Sequence, residues 1–183
     1  KQRMVETSQI PDLEELKATI QFCHSASENE SPKARQFFES ATNDLNKSKT
    51  SILEISDFNT KGMSGPSHNG TPFYAFMKAK GQSKKASDTA TGSFGIGKFA
   101  PYAVSKLRTV FVSTVYKDDD GSLKRLTQGK SILMSHDDKE QRRQGVGFWG
   151  VKERCQPVQG SNNKIPNWIQ RGEDCLLYTS PSP

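Results

Sequence analysis

The run Gly92-Ser93-Phe94-Gly95-Ile96-Gly97-Lys98 constrains this chain more than any other stretch. Three glycines in six positions favour a turn, and the residues after it, through about Ser105, read as a helix. A turn that feeds a helix in this way exposes backbone N–H groups beside the positive end of the helix dipole. Lys98 adds a charge at the same end, so the segment is expected to form an anion site. A second glycine- and asparagine-containing segment lies upstream, from Asp57 to Gly65. The apolar run Ser51-Ile52-Leu53-Glu54-Ile55-Ser56-Asp57 predicts a buried strand ending in a carboxylate. Such a carboxylate, facing a pocket, can accept a hydrogen bond from an exocyclic amine, and glycine lets a flat ring approach the backbone. Base at one end and phosphates at the other make a nucleotide site. Taken singly, each segment has an ordinary alternative: a strand-ending Asp that caps a turn, and a glycine-rich connection.

The order of the two segments carries a resemblance. ISDFNTKGMSG followed by TGSFGIGKFAPYAVSKLRTVFVSTV resembles the GHKL ATPases, the Bergerat-fold group that includes gyrase B, the heat-shock chaperones, MutL and sensor histidine kinases. The closer likeness is to bacterial proteins of the heat-shock-chaperone-like branch. It implies an α+β fold, a two-layer α/β sandwich whose mixed, mostly antiparallel sheet carries helices on one face. It also implies ATP as ligand and Mg²⁺ as cofactor. Asp57 would match the adenine-reading Asp, Asn59 would stand near the first glycine of the usual Asp-x-Gly-x-Gly, and Gly62-Met63 would line the purine. The Gly92, Gly95 and Gly97 backbones, with Ser93, Phe94, Ile96 and Lys98 between and after them, would wrap the phosphates. Residues 64–91 would be a lid.

The resemblance further implies a helix upstream of Lys1 that carries a catalytic Glu and a Mg²⁺-binding Asn. Glu39, Asn43 and Asp44 imitate that motif within the chain, against a reading as a solvated helix face. Full-length hydrolysis, coupling to a dimer partner or client, and a cytoplasmic location are expected on the same grounds. A non-catalytic nucleotide switch is the alternative within this reading. The pattern G-x-x-x-x-G-K also fits a P-loop, but Phe99 stands where Mg²⁺ needs a hydroxyl, and Lys84 to Thr91 is too polar for a feeding strand.

The remaining sequence supports a mixed fold. Pro11-Asp12 opens a helix with Leu13, Leu16, Ile20 and Cys23 on one face. Ser31-Pro32 caps a second, with Ala34, Phe37, Phe38, Ala41 and Leu45 in helical register. Thr71-Pro72 starts a short helix with Phe73, Phe76 and Met77 inward and Gly81 as its stop. Leu107 to Tyr116, the Asp118–Gly121 turn and Leu123 to Met134 predict a β-hairpin, and Gly145 to Val151 predicts a further strand. Residues 2–9 alternate too poorly for more than a weak strand. Trp149 and Trp168 are expected as core or interface anchors.

Composition limits the rivals. Net charge is +6 with 26 Lys+Arg against 20 Asp+Glu, and the pI is near 9.2. Lys78, Lys80, Lys84 and Lys85 form a basic cluster, which supports a nucleic-acid-binding module as a competing reading. Mean hydropathy is −0.74, and no apolar run approaches the ~18 residues of a membrane span. Three cysteines without CxxC or Cys/His zinc spacing predict no disulfide scaffold or structural metal, with Cys23 a half-buried thiol. His68 and His136 sit in polar stretches and are expected at the surface. The chain opens without a Met, as if from within a longer protein. Leu176 to Pro183 resembles translated adapter sequence and is expected to be non-native, leaving residues 1–175 as a partial ATPase domain, incomplete at both ends.

Overall fold

The computed structural model describes residues 1–28, 30–79, 96–138, 141–161 and 165–170. These build a mixed α+β structure with antiparallel sheets and four α-helices. They divide into two compact units. One contains Lys1–Ile55, Pro101–Val110 and Gly129–Trp149; the other gathers the described residues of Ser56–Ala100, Phe111–Gln128 and Gly150–Pro183.

In the first unit, strand β1 (Gln2–Glu6) pairs antiparallel with β2 (Lys49–Leu53), Arg3 opposite Ile52 and Val5 opposite Thr50. Two helices lie between them in sequence. Helix α1 (Leu13–Ser27) buries Ile20 and Cys23 as its stripe predicts, but it continues through the polar Ser25. Helix α2 (Pro32–Leu45) begins as expected, with the Ala34 N–H donating to the Ser31 hydroxyl at 3.2 Å, and buries Phe38, Ala41 and Leu45. The helices pack on each other through these stripes, which removes apolar surface from water. Asp44, also buried on α2, pairs with Lys47 and with Lys106 at 3.4 Å; the Lys47 hydrogen bond leads in holding its carboxyl below its ordinary range.

Strand β2 departs from the expectation of a buried strand. It ends at Leu53, four residues before Asp57, and alternates half-buried with exposed positions. Leu53 is 59% and Ile55 70% exposed. Its run of apolar residues on both faces reads as an interior strand, but only the Thr50 and Ile52 face is partly covered. The reverse correction applies to His136. It is 8% exposed, stacked on Phe22 with ring centroids 6.0 Å apart, and its Nδ1 lies 3.3 Å from the Cys23 Sγ. Cys23 is fully rather than half buried, and burial pushes its thiol pKa up. The charged run that follows folds back as a hairpin of its own, β5 (His136–Asp138) against β6 (Gln141–Arg143).

The predicted hairpin is present as β3 (Thr109–Lys117) and β4 (Leu123–Ile132). Its turn is closed by the Asp118 N–H on the Ser122 carbonyl at 2.9 Å. Within the first unit, Gly129–Ile132 of β4 pairs with β7 (Val146–Trp149), the expected further strand. Within the second, Leu126 and Thr127 pair with β8 (Val158–Gln159), a two-residue strand that no periodicity announces. The core of the second unit is Phe73, Met77, Tyr116 and Leu126, with Met63, Phe76 and Val112 packed against it. Trp168 meets Phe111 edge to face at 5.8 Å, between the buried Ile165 and Ile169, and so is a core anchor. Among the described residues, no helix is long and apolar enough to cross a membrane.

Candidate functional site

Every described residue of the two glycine-containing segments belongs to the second unit. Past β2 the chain runs in irregular structure to Thr71. Asp57 is exposed there, no described residue hydrogen-bonds its carboxylate, and Phe58 beside it is 64% exposed. Asn59 adopts a left-handed backbone, φ 54°, at the position where the resembled motif has glycine. Asn is among the few residues with a side chain that tolerate this region.

Gly62 follows with φ 70°, and it lies hard against β3. A Cβ at this position would stand 1.9 Å from the Val115 carbonyl oxygen. Only glycine fits, for conformation and for space. The next N–H, that of Met63, donates to the Thr114 hydroxyl at 2.8 Å, and the Met63 side chain joins the core. The Ser64 carbonyl then accepts from the Phe73 N–H at 3.1 Å. Asn59 and Gly62 are thus two left-handed corners that press the segment onto a strand. Thr114 is the contact that sequence reasoning missed. The sequence offers no signal that singles out Thr114, because Thr109 and Ser113 of the same strand also carry hydroxyls.

Helix α3 (Pro72–Met77) starts at Thr71 as the sequence indicates, the Tyr74 N–H donating to the Thr71 hydroxyl at 3.3 Å. Phe73 and Met77 are wholly buried. Residues 71–79, within the first part of the expected lid, are therefore packed in their unit. Residues 80–91 of that lid, with its Lys80, Lys84 and Lys85, lie outside the described residues, as do Gly92, Ser93, Phe94, Gly95 and the tail 176–183. Lys78, the remaining member of the basic cluster, is half buried and donates to the Arg154 carbonyl at 3.3 Å, so it does not stand out as a solvated phosphate contact.

The glycine-rich segment re-enters as a 3₁₀ turn over Ile96–Phe99, leading into the five-residue helix α4 (Ala100–Val104). Gly97 is exposed with open space around it. The Lys98 side chain turns toward helix α3. Its ammonium donates to the Ala75 carbonyl at 2.9 Å and to the Ala79 carbonyl, both at the end of α3. Burial lowers its pKa.

Glu39 and Asn43 lie exposed on α2, in the first unit, where they line a shallow cleft of about 250 Å³ with His24 and Thr42. Asp44, third member of that motif, is committed to Lys47 and Lys106. Among the described residues, no group of three or more His, Cys, Asp or Glu could hold a metal ion. Compared with known proteins, the chain matches no family model, no curated sequence and no solved structure.

Proposed function

We propose that the chain is the nucleotide-binding part of a GHKL-type ATPase, with the helices and sheets of a partial Bergerat sandwich and ATP as its ligand. Adenine recognition falls to Asp57, the purine wall to Gly62 and Met63, and phosphate binding to the backbone of the Gly92–Lys98 segment. The observation that carries the reading is the pair of left-handed corners at Asn59 and Gly62, which seats the Asp57–Met63 segment against β3. Asn59 keeps the backbone of a motif whose usual glycine it replaces. An exposed carboxylate with no described partner suits an acceptor for an amine of a ligand. Hydrolysis with Mg²⁺, coupling to a second subunit or client, and a cytoplasmic setting are part of the same proposal.

Calorimetric titration of Mg-ATP and a non-hydrolysable analogue against the chain tests the reading, with Asp57→Ala alongside. Losing a hydrogen bond to a charged group costs about 1.5–3 kcal/mol, roughly 10- to 150-fold in affinity. Because Asp57 is exposed, the variant should melt with the parent, within ~0.5 kcal/mol. Saturable binding by the parent and its loss in Asp57→Ala is the expected result. No saturable heat with the parent, or equal affinity in the variant, would overturn it.

A further inference from the structure

Helix α3 ends in an unusual way. The N–H groups of Lys78 and Ala79 both reach the Tyr74 carbonyl, at 2.8 and 3.1 Å. In a regular α-helix the Ala79 N–H would serve the Ala75 carbonyl, so that oxygen is left for another donor. Lys98 supplies it. One ammonium closes the carbonyl end of α3 through Ala75 and Ala79, more than eighteen residues away in sequence. A buried carbonyl without a partner would be costly, and a cation is favoured at this end of a helix. Lys98 is itself half buried in the 3₁₀ turn Ile96–Phe99, with its ammonium 5.7 Å from the centre of the Phe99 ring.

The other end of this link is deeply buried. Phe73 and Met77 of α3 are wholly buried in the cluster that Met63 also joins, immediately after Gly62. Helix α3 therefore connects two places within one unit: the segment seated on β3 by Gly62, and the turn that leaves the glycine-rich motif.

We infer that Lys98 is a positioning residue for the nucleotide: its ammonium fastens the turn after the glycine-rich motif to the carbonyl end of α3 and sets affinity by holding backbone, not by charge on the phosphates. The inference rests on the nucleotide reading above. Its consequence is specific. A lysine that touches phosphate contributes a salt-sensitive attraction, and removing it flattens the dependence of affinity on ionic strength. A lysine whose ammonium is held by backbone carbonyls and makes no direct phosphate contact contributes much less of that dependence.

The test is calorimetric titration of Mg-ATP at low and high salt against the full chain, Lys98→Met, Lys98→Arg and Asp57→Ala. Thermal melts establish that each variant is folded at the titration temperature. Lys98→Met should bind several-fold more weakly at both salt concentrations, since only the share of the lost stabilisation that is coupled to the bound conformation appears in affinity. Lys98→Arg keeps the charge but changes its geometry, and should also bind several-fold more weakly; it keeps the test decisive if Lys98→Met does not fold. Parent-like affinity in the folded variants would overturn the inference and assign Lys98 to fold stability alone. A flattened salt dependence in Lys98→Met, with full affinity in Lys98→Arg, would overturn it in favour of direct phosphate contact. If the parent binds and Asp57→Ala does not while the Lys98 variants match the parent, only this inference fails. Absence of binding by the parent overturns the nucleotide reading and this inference with it.

Discussion

Replacing Gly62 by alanine should damage this protein more than any other single methyl group added to a described glycine of the second unit. Two effects separate cleanly. The backbone at Gly62 is left-handed, φ 70°, which costs a residue with a Cβ about 1–2 kcal/mol. The added carbon would also stand 1.9 Å from the Val115 carbonyl oxygen, far inside any real contact and against backbone that cannot swing aside. The segment must retreat from β3, which breaks the Met63 N–H bond to Thr114. Leaving those groups without partners adds about 1–3 kcal/mol. The total, about 2–5 kcal/mol, is a large share of the ~5–15 kcal/mol that holds an ordinary domain. Gly121→Ala is the internal control: φ there is 79°, but nothing lies near an added Cβ, so only the conformational part applies. Gly97→Ala has neither penalty and should be within ~0.5 kcal/mol of the parent. Urea unfolding of the three variants gives the ranking. For a chain of this size ~1 kcal/mol is about 2–4 °C, so Gly62→Ala should melt roughly 4–20 °C lower. If Gly62→Ala costs no more than Gly121→Ala, the close approach to Val115 is wrong, and the seat of the Asp57–Met63 segment with it.

Acid unfolding should report on Asp44. Its carboxyl is held below the ordinary 3.8, chiefly by the Lys47 hydrogen bond. A depressed folded-state pKa contributes stability that is present above pH ~3.8 and is lost as pH falls through the folded value. Asp44→Asn should therefore flatten the stability profile below about pH 4, and an unchanged acid slope would count against the pairing. Cysteine alkylation should distinguish the two described thiols: Cys155 is exposed and Cys23 is buried with a raised pKa. Peptide mass spectrometry should find native Cys155 modified well before Cys23, with the difference abolished in urea; equal native rates would refute the burial of Cys23. Truncating Phe73 to alanine should cost about 3–5 kcal/mol, since it is wholly buried in the four-residue core of the second unit. A loss below ~1 kcal/mol in urea unfolding would mean that residues 71–79 are not packed there.

Local chemistry was legible in the sequence, because it depends on neighbours a few residues apart. Ser31-Pro32 and Thr71-Pro72 start helices where their hydroxyls and fixed proline φ require. The stripe through Ile20 and Cys23 faces inward, and the Val-rich β3 and the following β4 flank the Asp118–Ser122 turn as a hairpin. The left-handed corners at Asn59 and Gly62 follow from residue types that alone accept them readily.

What depends on partners distant in sequence had to wait for the tertiary structure. An apolar run on both faces does not say how many layers cover it, so β2 reads as interior and folds as a half-exposed strand. His136 reads as polar surface until Phe22 and Cys23, more than a hundred residues earlier, close over it. Lys98 is the plainest case. Beside glycines and ahead of a helix, its charge suits an anion, and that arithmetic holds for any local reading. The opposing fact is a carbonyl left open at the end of α3, which arises only when Ala79 bonds to Tyr74 and the turn packs beside it. A side chain's local surroundings determine what it can do; the partner that the fold brings within 3 Å determines what it does.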